Sequence, residues 1–113
     1  MMAGDIFVSK DRHWAASSWN FYWAAEFLVN NVEDDKAAAW IREVIDEHIM
    51  IIDLDGDFTP PARRLILRLL RDKLIPDAEK RFSPDDPERG GALKILRELA
   101  DLAREVAEQD RQS

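Results

Sequence analysis

Asp53, Asp55 and Asp57 stand two residues apart in the run Ile51-Ile52-Asp53-Leu54-Asp55-Gly56-Asp57. Carboxylates at that spacing can hold a divalent cation, or divide nucleophilic and acid–base work between neighbours. They also have a plainer use. Thr59-Pro60 places a capping hydroxyl before a proline at a first helical position, and carboxylates just ahead of a helix stabilise its positive end by about 0.3 to 1 kcal/mol each. The same acids follow the negative end of the preceding helical pattern, where they are unfavourable. Three Asp in five residues therefore exceed what capping requires, and with Glu43, Asp46 and Glu47 they are expected to form one acidic recognition surface.

Two known carboxylate motifs bear on the run. An EF-hand loop beginning at Asp53 would need Gly at its sixth position and Glu at its twelfth, where Phe58 and Arg64 stand. The run also resembles the nucleophile motif of haloacid-dehalogenase-type phosphatases. Asp53 matches the Asp that attacks phosphate after a buried strand, Asp55 matches the acid–base Asp two residues on, and Asp57 replaces the usual hydroxyl residue. That resemblance implies a small metal-dependent hydrolase using Asp53 and Asp55. It spans only this run, and the chain's pattern lacks the alternating strands and helices of that fold.

Neither histidine completes a site. His13 and Ser17 are four apart, a spacing that permits a hydrogen bond on a helix but supplies no third group to orient the imidazole. His48 falls on an apolar stripe without a His-Glu-x-x-His pattern, which reads as a partly buried, hydrogen-bonded side chain. No catalytic residue, metal ligand or cofactor is assigned. The aromatics Trp14, Trp19, Phe21, Tyr22, Trp23 and Phe27 are denser than one buried helix stripe needs. Most fit between helices, and Trp14, Trp19 and Tyr22 are the candidates for exposed binding anchors.

Charge is distributed unevenly. Met1–Asp57 carries twelve Asp/Glu against four Lys/Arg, whereas Phe58–Ser113 carries eleven against twelve, within a net charge of −7. Such a balance disfavours nucleic acid, whose binding needs many phosphate contacts from Lys and Arg, and favours a basic partner. Arg63, Arg64, Arg68, Arg71 and Lys73 form a basic helix face that could meet a phosphate backbone or an anionic lipid surface. The simpler expectation is pairing with acids on the second helix or with Asp72. No secretory leader is recognisable at Met1–Val8, no apolar run is long enough to cross a bilayer, and the chain has no Cys, so a cytoplasmic protein is expected.

The elements that must carry these groups read as helices. Ile6–Val8 is either an edge strand or an extended segment packed on a helix. Ser9 and Asp11 offer helix-start chemistry, and a first helix is predicted over Trp14–Val29, with Trp19, Trp23 and Phe27 four apart. A second follows Asp34 with Ala37, Trp40, Ile41, Val44, Ile45, His48 and Ile52 in register. A third runs from Pro60 to about Lys73. Pro76 ends or kinks it, with one further turn near Asp77–Phe82. Ser83–Gly91 is the main linker, and a last helix is predicted from Glu88 or Ala92 to Glu108. Residues 1–113 are then a single all-α domain, a four-helix antiparallel bundle with at most a short extended N-terminal segment.

In overall character, without a shared motif, the chain resembles small helical bacterial immunity proteins that shield cationic toxin domains, commonly nucleases. The resemblance implies a non-enzymatic, acidic inhibitor that masks a basic protein partner such as a toxin domain. Glu43, Asp46, Glu47, Asp53, Asp55 and Asp57 would supply charge, and Trp14, Trp19 and Tyr22 would serve as anchors. The alternatives are a structural or regulatory helical homodimer and the metal-dependent hydrolase.

Overall fold

Three strands and five helices follow one another: β1 (Ala3–Ser9), β2 (Arg12–Ser17), α1 (Ser18–Asn31), α2 (Asp35–Asp46), β3 (Ile51–Asp53), α3 (Pro60–Asp72), α4 (Leu74–Arg81) and α5 (Arg89–Gln112). This computed structural model describes residues 3–112, so Met1, Met2 and Ser113 of the expected domain lie outside it. The expectation of an all-α bundle is overturned. The strands form a mixed sheet in the order β2-β1-β3, with β1 antiparallel to β2 and parallel to β3, and the fold is α/β.

A period-two pattern, too short to stand out beside the helical stripes, is the reason. Gly4, Ile6 and Val8 are buried between the more accessible Asp5, Phe7 and Ser9, and Trp14 is buried between exposed His13 and Ala15. Ile6–Val8 thus lies in the central strand, not at an edge. Ser9 and Asp11 start no helix: Ser9 pairs with Arg12 across a turn at Lys10-Asp11. Helix α1 begins only at Ser18, where the Ser17 hydroxyl accepts from the Asn20 amide. After α1 and α2 the chain returns beside β1, placing Ile52 next to Ile6.

The remaining helices follow local chemistry. Asp34 caps α2 by accepting from the Ala37 amide, and Thr59 caps α3 by accepting from Ala62, with Pro60 at the first helical position. Pro76 sits in the first turn of a separate helix, α4, where its missing N–H costs no hydrogen bond. Helix α5 starts before the two glycines of the expected linker.

Helices α1 and α5 cover one face of the sheet, and α3 lies against α5. Ile6, Val8, Phe21, Leu28, Ile41, Ile52, Leu54, Ile66, Leu70, Leu96 and Leu99 make a continuous interior. At Gly4 strand and helix meet so closely that an added Cβ would overlap the Phe21 side chain. The other sheet face, carrying Asp5, Phe7, His13, Ala15, Ile51 and Asp53, is left accessible.

Candidate docking surface

The helix α2 predicted to reach Ile52 stops at Asp46, and the way it stops creates the most distinctive surface of the molecule. The His48 amide donates to the Ile45 carbonyl at 3.3 Å and the Ile49 amide to the Val44 carbonyl at 3.0 Å. These are the paired hydrogen bonds of a Schellman end, which places the residue after the cap in the left-handed region. That residue is His48, at φ 53°, where glycine is the usual occupant. A side chain there costs roughly 1 kcal/mol or more. Tyr22 on α1 meets it: its hydroxyl lies 2.8 Å from His48 Nδ1, fastening the turn to α1. Met50, also at positive φ (65°), then turns the chain into β3, and its carbonyl accepts from the Asp5 amide at 2.9 Å. His48 is exposed, which corrects the expectation of a partly buried stripe residue.

Two consecutive backbone turns leave apolar side chains outside. Ile49 is 40% exposed and Ile51 47% exposed, and with Trp19 they are the exposed large hydrophobic residues among those described. Asp46 and Glu47 precede them and Glu43 lies one turn back, all three exposed. Arg42 does not neutralise this group. Its guanidinium makes a two-pronged pair with Glu26 of α1 at 2.9 and 3.0 Å. That hydrogen bond and charge contact with Glu26, with a smaller attraction from Asp46, raise the Arg42 pKa above its ordinary value.

Ile51 leads onto the open sheet face. Across the strands, Ala15, Asp5 and Ile51 form one row and His13, Phe7 and Asp53 the next. His13 Nε2 lies 2.6 Å from Asp5 Oδ1, and the imidazole stacks on Phe7 with centroids 4.6 Å apart and planes 15° from parallel. His13 and Ser17 therefore do not share a helix face. They sit on a strand, and the Ser17 hydroxyl is committed to capping α1.

The free edge of β3 is short. The Asp5 amide reaches Met50 O and the Leu54 amide reaches Phe7 O, so Met50 and Leu54 turn their backbone toward β1 while Ile51 and Asp53 turn theirs away. At Asp53 those outward groups are already taken: Asp57 Oδ2 accepts from the Asp53 amide at 3.1 Å, and the Asp57 amide donates to Asp53 O at 2.9 Å. Asp57 ends the sheet edge in the manner by which proteins avoid unwanted strand pairing.

The rest of the aspartate run is used internally as well. Asp53 Oδ1 accepts from the Asp55 and Gly56 amides at 3.1 and 3.2 Å, and a Cβ on Gly56 would sit 2.6 Å from Asp53 Oδ2. Asp55 pairs with Arg63 at 2.7 Å, and Arg63 also pairs with Asp110 of α5. Burial opposes the Arg63 charge, but the hydrogen bond and attraction from Asp110, reinforced by Asp55, outweigh it and raise its pKa. No group of three or more metal-binding side chains occurs among the described residues. The six acids thus divide into Glu43, Asp46 and Glu47, turned to solvent, and Asp53, Asp55 and Asp57, which build a loop.

The three aromatic candidates also divide. Trp14 is 2% exposed, its indole donating to Ile95 O of α5 at 2.9 Å, so its place is in the core, as β2 directs it inward. Trp19 is 55% exposed against Phe82, beside a groove of about 630 Å³ that also includes Ala92 and Ile95. Tyr22 alone joins the acidic turn, through His48. Sequence reasoning missed Asp5, Phe7, Ile49 and Ile51; the alternation Gly4-Asp5-Ile6-Phe7-Val8 is the signal that would have found the first two. No family model, curated protein or solved structure matches the chain. No helix of the described residues is long and apolar enough to cross a membrane.

Proposed function

We propose that the protein is a non-enzymatic binding module that masks a basic protein partner, an inhibitor of the immunity-protein kind acting on a toxin domain in the cytoplasm. The observation that carries this reading is the α2–β3 turn. Exposed Ile49 and Ile51 lie directly beside exposed Asp46 and Glu47, on a backbone held in an uncommon conformation at two positions. Solvent-facing acids speed the approach of a basic partner, and apolar side chains at their centre slow its release. Non-glycine residues held at positive φ are concentrated where a surface must present a defined shape. The open sheet face extends the same surface through Ile51, Asp5 and Phe7.

The test uses immobilised protein and extract of the cells it comes from. Wild-type protein is expected to retain one basic protein, with retention weakening as salt is added. The I49D/I51D variant should lose it while still melting in one cooperative transition, since both residues are largely exposed. Retention unchanged in I49D/I51D, or of no basic protein at all, contradicts the proposal.

A further inference from the structure

On the side formed by α3 and α5, the arginines meet only some of their expected partners: Arg71 pairs with Asp72, but among the described residues none pairs with α2. Helix α3 lies on α5 rather than on the acidic α2, so acids of α2 are not their partners. Arg63 turns to Asp55 and Asp110, and Arg71 takes Asp72 in a two-pronged pair with both contacts at 2.8 Å. Arg64, Arg68 and Arg111 have no carboxylate within ion-pair distance among the described residues. All three, with Arg71, line one groove of about 410 Å³ between α3 and α5, floored by Leu67 and Ala107 and rimmed by Asp110. Arg64 and Arg68 are one helical turn apart, a like-charge spacing that disfavours the helix.

We infer that this groove is a binding site for a compact, multiply charged oxyanion of the diphosphate class. Guanidinium groups converging from two helices match phosphate oxygens through forked, charge-assisted hydrogen bonds, and such a ligand removes the repulsion among them. A diphosphate carries enough charge to engage Arg64, Arg68 and Arg111 together, whereas a single side-chain carboxylate engages one fork. A long polyanion is disfavoured by the whole chain's net charge of −7. The site is separate from the α2–β3 turn and does not depend on the function proposed for it.

Binding of inorganic pyrophosphate to the full chain, followed by calorimetry and by melting temperature against sodium chloride of equal ionic strength, tests the inference. Pyrophosphate is expected to raise the melting temperature beyond the salt control. The R64A/R68A variant, altered only at exposed positions, should melt like wild type without ligand and bind pyrophosphate roughly tenfold or more weakly. The R97A variant, changed on an exposed part of α5 outside the groove, should bind as wild type does. A nucleoside diphosphate binding as pyrophosphate does assigns the site to the phosphates alone, and tighter binding that is still lost in R64A/R68A assigns it to a nucleotide. Either result supports the oxyanion site. An effect no greater than salt, binding indifferent to R64A/R68A, or tighter binding of a single-stranded oligonucleotide overturns it.

Discussion

The acidic turn at Asp46–Ile51 and the acidic loop at Asp53–Asp57 are neighbours in the chain, both rich in carboxylates and opposite in use. In the loop, each aspartate satisfies the molecule's own groups: Asp53 holds two amides, Asp57 closes the edge of β3, and Asp55 meets Arg63. In the turn, Asp46 and Glu47 stand in water beside two exposed isoleucines, and the one nearby arginine is committed to Glu26. Charge counted along a sequence does not distinguish these cases. A carboxylate becomes available to a partner only when no amide or guanidinium of its own chain reaches it, and that is settled by how helices end and strands pair.

Substitution should cost the loop more than the turn. D53A takes away the carboxylate that holds the Asp55 and Gly56 amides. It should lower stability by about 1 to 3 kcal/mol in urea unfolding, at the scale of such losses. G56A pushes the Asp53 carboxylate away from the same amides and should act in the same direction, less strongly. In the turn two terms oppose each other. H48G removes a side chain from the left-handed region, a relief of about 1 kcal/mol, but also loses the hydrogen bond to Tyr22, so stability should change little, whereas Y22F, which loses only that contact, should lower it by about 0.5 to 1 kcal/mol. D46N/E47Q should leave the unfolding free energy in urea within about 0.5 kcal/mol of wild type, as exposed substitutions do, and should slow association with the basic partner. Loss of stability in D46N/E47Q and none in D53A would invert the contrast.

The smallest expected effect is on pH dependence. The hydrogen bond from Arg71, and then its charge, hold the Asp72 carboxyl below the ordinary carboxylate range. A depressed folded pKa contributes stability that is present above the unfolded value and lost as pH falls through the folded one. Replacing Asp72 by Asn should therefore lower the melting temperature slightly at neutral pH and reduce its fall on acidification below the ordinary Asp range, the two proteins converging in acid. An unchanged acid limb would show that this exposed pair contributes nothing measurable.

What the sequence made legible was local. The caps Asp34 and Thr59, the proline at the start of α3 and the apolar stripes of α3 and α5 are short-range patterns, and those helices stand close to where the patterns place them, whereas α2 stops at Asp46, short of the His48 and Ile52 in its stripe. The sheet was hidden because its strands are short and pair across distance: Ile52 is a strand residue only because Ile6 lies beside it. Trp14, expected to open the first helix, is a strand residue for the same reason: it pairs with Ile6 across β1 and β2. Within the candidate surface, the acids of α2 were legible from charge. Ile49 and Ile51 were not, because their exposure follows from a left-handed histidine where the residue type gave no warning, and the fate of Asp53 followed from amides its own loop turns back toward it.

If the α2–β3 turn and the adjoining sheet face are the contact surface for a basic protein, amide hydrogen exchange of this chain bound to the basic protein retained from its own cells should be slower than in the free chain only at Glu47–Asp53 and β1. Slowed exchange centred instead on the Trp19–Phe82 groove, with Glu47–Asp53 unchanged, would contradict it.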